Sequence, residues 1–307
     1  RILAAVPVSH SYGLSSVLLP ALVRGSTMVV PEGDGPFAAI DAARAADVTF
    51  LPTVPAYLEA LLRMAEPPPL PPSLRLAVTA GAPLKPATAA AFRARYGRPV
   101  HVFYGASEVG GICFDRDGSA GERGTLGTPV DGVSIELEAV DGLAAGSGLV
   151  TVRSPAAALG YLPEPDPALA DGVFRTADLA AFRSGELVLL GRADDLINVK
   201  GKKVNPREVE QVLLGLDGVR DAVVVGRTPP GEAQPAVFAL VAAAAAGVGV
   251  AGLLDGCRAR LAPHKVPRGV VLVPEIPRTA RGKLDRGAVD ELLRGAGAPA
   301  PPAAAGG

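Results

Sequence analysis

Tryptophan is absent from this chain of 307 residues, and only two cysteines, two methionines and three histidines are present. Cys113 and Cys257 lie far apart, and His10, His101 and His264 are equally scattered, so neither a disulfide framework nor a zinc site is expected. A reducing, cytoplasmic compartment follows as the default. Charge of one sign is also lacking: 30 Lys and Arg stand against 31 Asp and Glu, for a net charge of −1. With no basic field to attract a polyanion, nucleic acid is not an expected partner. The opening Ile2-Leu3-Ala4-Ala5-Val6 is not expected to be a signal peptide, because it is too short for an h-region and ends at Pro7. The chain begins with Arg1 rather than Met and looks cut from something longer.

What the chain has in quantity is glycine, 37 residues, and proline, 30 residues. Together they stay just under the level of about 25–30% that marks disorder, so most of the chain is expected to fold. Pro235 to Leu254 carries no charge and has the length of a bilayer span, yet it is mostly alanine and lacks aromatic ends. A buried strand, a glycine loop and a helix describe it better, and no transmembrane segment is expected. Gly247-Val248-Gly249-Val250-Ala251-Gly252 fits the dinucleotide pattern GxGxxG, but no acidic residue follows at the distance needed to hold a ribose.

Periodicity divides the chain into three textures. Up to about Val102, helices at Phe37–Ala46, Pro55–Met64 and Pro86–Tyr96 alternate with strands at Val48–Leu51, Leu74–Thr79 and Val100–Phe103. Thr53 and Pro55 are expected to open the second helix. Such units imply a mostly parallel sheet covered by helices, with ligands at the carboxyl ends of its strands. Residues 124–190 read as a small β subdomain with short strands at Val133–Val140, Gly148–Arg153 and Glu186–Leu190. From residue 191 to 295 a smaller α+β domain is expected. One of its helices starts with Asn205 as cap, Pro206 in the first turn and Glu208 reaching back as a capping-box acid. The fold class is therefore α/β: a truncated large domain over 1–190, a small α+β domain over 191–295, and a disordered Ala/Pro/Gly tail over 296–307.

Two segments carry chemistry. Tyr104-Gly105-Ala106-Ser107-Glu108-Val109-Gly110-Gly111 follows a strand and offers an aromatic face, backbone donors, a hydroxyl and a carboxylate, suited to a purine, a phosphate and its Mg²⁺. The plainer reading is a glycine-rich turn with a solvated Glu. The second segment, Ile276 to Arg286, is a basic loop in which Lys283 follows a glycine and could cross a cleft to an anion; taken alone, the plainer reading of Lys283 is one more surface cation.

Further motifs stand in a fixed order around these two: Pro7-Val8-Ser9-His10-Ser11-Tyr12-Gly13, Ala80-Gly81-Ala82-Pro83-Leu84, Phe174-Arg175-Thr176-Ala177-Asp178, and the run from Gly191 to Glu210. In that order the chain resembles the adenylate-forming (AMP-binding) enzyme superfamily, in its acyl- and aryl-CoA synthetase branch, over nearly its whole length. The resemblance implies that Gly81, Ala82 and Pro83 line adenine, that Tyr104 stacks on it with Gly105 beside it, and that Ser107 touches phosphate. It implies Glu108 as the Mg²⁺ ligand, Asp178 and Arg192 as ribose contacts, and Lys203 near the phosphates. Asp194 matches the hinge of the small domain, and Gly201 the passage for pantetheine. Lys283 matches the lysine that bridges the carboxylate and the α-phosphate. His10 matches a position that shapes the acyl pocket, with Tyr12, Gly13, Val109 and Gly110 around it; a histidine packed in the core is the alternative.

Departures from the family pattern are Ser107 for Thr, Ala177 for Gly, and the absence of the Ser/Thr/Gly-rich phosphate loop that the family carries upstream of His10. The resemblance implies an ATP-dependent ligase that joins a fatty or aromatic carboxylic acid to coenzyme A through an acyl-adenylate. Transfer to the phosphopantetheine of an acyl carrier protein, and a noncatalytic nucleotide-binding remnant, are the alternatives. The His10 motif holds no acid to pair an ammonium, which disfavours an amino acid substrate.

Overall fold

Two compact units divide the chain, the first comprising Arg1–Ala139, Gly146–Thr176 and Ala180–Leu189, the second Val140–Ala145, Ala177–Leu179 and the residues from Leu190 onward. The computed structural model describes residues 1–33, 35–229, 232–243, 248–278 and 284–295. The proposed tail 296–307, Gly247 of the GxGxxG run and Lys283 with Arg281 and Gly282 lie outside the described residues.

In the first unit a seven-stranded sheet contains β1 (Ile2–Leu3), β2 (Met28–Val29), β3 (Phe50–Thr53), β4 (Leu76–Thr79), β5 (His101–Ala106), β6 (Gly110–Phe114) and β7 (Thr128–Pro129), in the order β2-β1-β3-β4-β5-β6-β7. Strands β1 to β5 pair in parallel, and β6 and β7 add antiparallel. The parallel pairs require crossovers. These include helices Gly35–Ala45, Pro55–Arg63 and Pro86–Tyr96, and a helical run whose middle turn, Leu14–Leu18, is a π-helix between Ser11–Gly13 and Leu19–Arg24. Proline is the first residue of Pro55–Arg63 and of Pro86–Tyr96, where its fixed φ suits the helix and its missing N–H costs nothing.

The main core joins these helices to the sheet: Ile40, Leu58, Leu61 and Phe92 are fully buried with Leu51, Val102 and Ile112. Phe92→Ala is expected to cost about 3–5 kcal/mol, because the transfer free energy of the ring is lost and a cavity is left behind. A separate cluster of Ile2, Val6 and Val17, with Tyr12, Phe50 and Val54 packed on it, holds the Ser11–Arg24 run in place.

A second sheet is built from β8 (Ser134–Ala139), β9 (Ser147–Arg153), β10 (Leu169–Ala170), β11 (Val173–Arg183) and β12 (Glu186–Arg192), in the order β10-β11-β9-β8 with β12 on β11. The tight turns Asp171-Gly172 and Ser184-Gly185 have φ values of 53°, 75°, 51° and 82°. Positive φ at both central residues matches the right-handed twist of the flanking strands.

Four expectations need correction. Thr53 does not cap the second helix but ends β3; the cap residue is Val54, without a side-chain bond. The strand ending at Phe103 runs on through Ala106, so Tyr104 and Gly105 belong to it. Strand β11, eleven residues long, was not anticipated, because Ala177, Asp178, Ala180 and Ala181 lower its β propensity. Glu208 does not reach back to Asn205: both of its oxygens lie 2.7 Å from Lys265 Nζ.

In the second unit, the hairpin β13 (Ile197–Val199) and β14 (Lys202–Val204) precedes helix Pro206–Leu214. A three-stranded sheet follows, with β15 (Val219–Arg227) antiparallel and β17 (Gly269–Val273) parallel to the central β16 (Ala236–Ala243). Side chains alternate along it: Ala222, Val224, Ala239 and Val241 pack with Val209, Leu213, Leu253 and Cys257, while Val223, Leu240 and Ala242 pack with Val289 and Leu293. Helices therefore cover both faces. The uncharged stretch is thus central strand plus helix Val250–Arg258, and no helix among the described residues is long and apolar enough to cross a membrane.

Candidate functional site

In the first unit the candidate residues leave the carboxyl ends of three strands of the parallel sheet. The His10 motif follows β1, Ala80 to Pro83 follow β4, and the turn at residues 107–109 follows β5. Three contacts tie them together. Tyr12 donates its phenol to the Val78 carbonyl at 3.0 Å, its ring stacks on Phe103 at 6.3 Å between centroids, and Ser107 Oγ donates to Ser11 Oγ at 2.8 Å. Burial pushes the Tyr12 phenol well above its ordinary range, so it stays a donor.

His10 is exposed and caps the helical run, its Nδ1 accepting from the Tyr12 backbone N–H at 3.3 Å. Among the described residues, His10 is not packed in the core. Gly13 is buried because the chain folds back on itself: a Cβ there would stand 2.1 Å from the Pro7 carbonyl oxygen. Gly81, at φ 83°, and Ala82 and Pro83 form an exposed loop.

Tyr104 is half-buried on β5, opposite Cys113 of β6, and packs against the main core. Glycine at 105 permits strand approach closer than a side chain allows, since a Cβ would lie 2.5 Å from the Gly110 carbonyl oxygen. Gly110, at φ 69°, closes the three-residue turn. Val109 is fully buried in the main core.

Glu108 accepts from the Tyr161 phenol through Oε1 at 2.8 Å, while its Oε2 has no hydrogen-bond or ion-pair partner among the described residues. Burial, and then the Glu108 carboxylate, push the Tyr161 phenol up to about 12. An oxygen donor of this kind suits a hard cation such as Mg²⁺, which keeps few protein ligands and shares substrate phosphates. Among the described residues no group of three or more His, Cys, Asp and Glu is placed to hold an ion.

The second unit holds a separate set. Asp178, on β11, has a side chain 18% exposed and paired with Arg192 at 3.1 Å; the other guanidinium nitrogen of Arg192 lies 3.3 Å from Asp194. Asp194 sits in a 3-10 turn directly after β12. Gly191 abuts Asn205, which accepts from the Arg207 N–H at 3.1 Å and donates to the Leu190 carbonyl at 2.8 Å. Lys200 and Gly201, at φ 51° and 84°, form the two-residue turn between β13 and β14, and Lys203 is exposed on β14. Gly201 thus also answers a backbone need.

Sequence reasoning missed Tyr161, Ser11 and the second bond of Asn205. A lone aromatic in Gly160-Tyr161-Leu162-Pro163 was the available signal for the first.

Comparison with known proteins gives the family. Residues 1–162 match the AMP-binding enzyme family model, and residues 208–283 match the AMP-binding enzyme C-terminal domain. The chain belongs to the AMP-binding enzyme family. It is 30% identical over 301 residues to a probable CoA ligase from Humulus lupulus, covering 93% of this chain and 57% of that protein. Among solved structures, the amide bond synthetase McbA from Marinactinospora thermotolerans is 31% identical with a TM-score of 0.80, covering 95% of this chain and 61% of that one. O-succinylbenzoate coenzyme A synthetase from Bacillus subtilis, solved with ATP and a magnesium ion, is 27% identical with a TM-score of 0.75, covering 94% and 61%. This AMP-binding chain therefore spans about three-fifths of the length of such relatives.

Proposed function

We propose that this chain is part of an ATP-dependent carboxylic acid–CoA ligase acting on a fatty or aromatic acid. A carboxylate oxygen attacks the α-phosphorus of ATP and pyrophosphate leaves; the thiol of coenzyme A then attacks the acyl carbon and AMP leaves. A carboxylate approaching a phosphate sets like charges together, so positive charge must offset the repulsion. Lys283 is assigned that part at the α-phosphate. Glu108 would hold Mg²⁺, which when bound supplies further positive charge to the phosphate oxygens.

Tyr104, with Gly105 and the Gly81 to Pro83 loop, is assigned to adenine, Ser107 to phosphate, Asp178 and Arg192 to the ribose hydroxyls, and Lys203 to the phosphates. His10, Tyr12, Gly13, Val109 and Gly110 are assigned to the acyl end, Asp194 to the hinge and Gly201 to the pantetheine path. We assign residues 1–190 and 191–295 to large and small domains, and the protein to the cytoplasm, where the buried free thiols of Cys113 and Cys257 would persist.

The observation that carries this reading is the gathering of three family motifs at one edge of the parallel sheet, joined by the Tyr12–Val78 and Ser107–Ser11 bonds. A second reading changes only the acceptor. The likeness to an amide bond synthetase favours an amine, and a carrier-bound phosphopantetheine offers the same thiol as coenzyme A.

The test is release of AMP from ATP, Mg²⁺ and a panel of carboxylic acids, with coenzyme A, a carrier protein or an amine as acceptor. Turnover with coenzyme A supports the ligase. Turnover confined to another acceptor overturns it, and absence of pyrophosphate exchange by the whole protein reduces it to a nucleotide-binding remnant.

A further inference from the structure

A turn carrying a functional carboxylate needs something to hold it, and residues 154–161 make three hydrogen bonds to residues 108 and 109. Ser154 Oγ donates to the Val109 carbonyl at 3.1 Å and accepts from the Ala156 N–H at 3.1 Å. The Ala158 N–H donates to the Glu108 carbonyl at 2.7 Å. The Tyr161 phenol completes the set by donating to Glu108 Oε1 at 2.8 Å. Two carbonyls of the turn, those of Glu108 and Val109, and one oxygen of its carboxylate are thus fixed from a segment about fifty residues away in sequence.

We propose that Tyr161 is a positioning residue that orients the Glu108 carboxylate, directing Oε2 toward a divalent cation carried by ATP. This rests on the proposed role of Glu108 as the cation ligand. A phenol suits the task because it is an uncharged donor. It restricts the carboxylate to one orientation and leaves its negative charge in place, whereas a Lys or Arg at the same position would compete with the cation. Groups that orient a metal ligand typically change metal affinity about 10- to 100-fold when removed. Tyr161 is 38% exposed, so losing its hydroxyl opens no cavity in the core.

The experiment measures binding of Mn²⁺-ATP, and of ATP in EDTA, to the chain and to its Tyr161→Phe, Glu108→Gln and doubly substituted variants, with melting temperatures alongside. Tyr161→Phe is expected to weaken Mn²⁺-ATP binding about tenfold, to leave metal-free ATP binding and the melting temperature unchanged, and to add nothing to Glu108→Gln. Unchanged Mn²⁺-ATP affinity in Tyr161→Phe, or equal weakening of metal-free ATP, overturns the positioning role while Glu108 stands. If Glu108→Gln binds Mn²⁺-ATP as the parent does, or the parent binds none, the reading of Glu108 falls and the role of Tyr161 falls with it.

Discussion

The guanidinium of Arg192 stands 3.1 Å from the carboxylate of Asp178, joining the last residue of β12 to the middle of β11. The pair fixes the orientation of an acid that is assigned to a diol. Charge-assisted hydrogen bonds contribute about 1.5–3 kcal/mol each, so Asp178→Ala should weaken ATP binding about 10- to 100-fold. Arg192→Lys should lose less, because one charge remains but cannot reach both acids. Titration with ATP and with 2′,3′-dideoxy-ATP checks this. Equal affinity of the parent for the two nucleotides would remove Asp178 from the ribose.

Lys283→Ala in the complete protein is expected to abolish formation of the acyl-adenylate, while thioester formation from supplied acyl-adenylate survives. The two half-reactions are followed separately by pyrophosphate exchange and by thiol consumption. Equal loss of both would make the lysine structural.

Asn205 serves two elements at once, capping helix Pro206–Leu214 and holding the Leu190 carbonyl. Serine can keep the cap but lacks the donor. Asn205→Ala should cost about 2 kcal/mol, from about 1 for the cap and about 1 for the second bond, and Asn205→Ser about half of that. Urea midpoints distinguish them, and identical values for Ser and Ala would show that the cap contributes nothing.

Glu186 is held below the ordinary glutamate value of about 4.5, first by hydrogen bonding to Arg123, against partial burial, and also by Thr125. An acid with a depressed folded value stabilises the fold above its unfolded value, and that contribution is lost as pH falls through the folded one. Melting followed from about pH 7 down to about pH 3 should therefore fall more steeply for the parent than for Glu186→Gln. Parallel curves would refute the assignment.

Much of this was legible from residue order alone, for reasons that particular positions make clear. Pro86 and Gly97 bound a helix because one fits its first turn and the other accepts a left-handed φ of 65° just past its end. The uncharged run Ala236–Ala243 announced a buried strand, and it is the central strand of its sheet. The strand course of Tyr104 and Gly105 was not legible, since glycine usually signals a turn. Here it permits two strands to approach until the Gly105 Cβ position is 2.5 Å from a carbonyl oxygen. Tyr161 was hidden for another reason: its partner Glu108 is distant in sequence, and no local pattern encodes a contact of that range.

The two-residue turns at Asp171-Gly172, Ser184-Gly185 and Lys200-Gly201 bear on the order in which the chain acquires its structure. Each joins strands that are neighbours in sequence, so little entropy is lost in closing them, whereas β4 and β5 must first enclose an intervening helix. Pulse-labelled hydrogen exchange during refolding should find the amides of β11 and β12 protected before those of β4. The motif edge of the parallel sheet then forms late, on hairpins already in place.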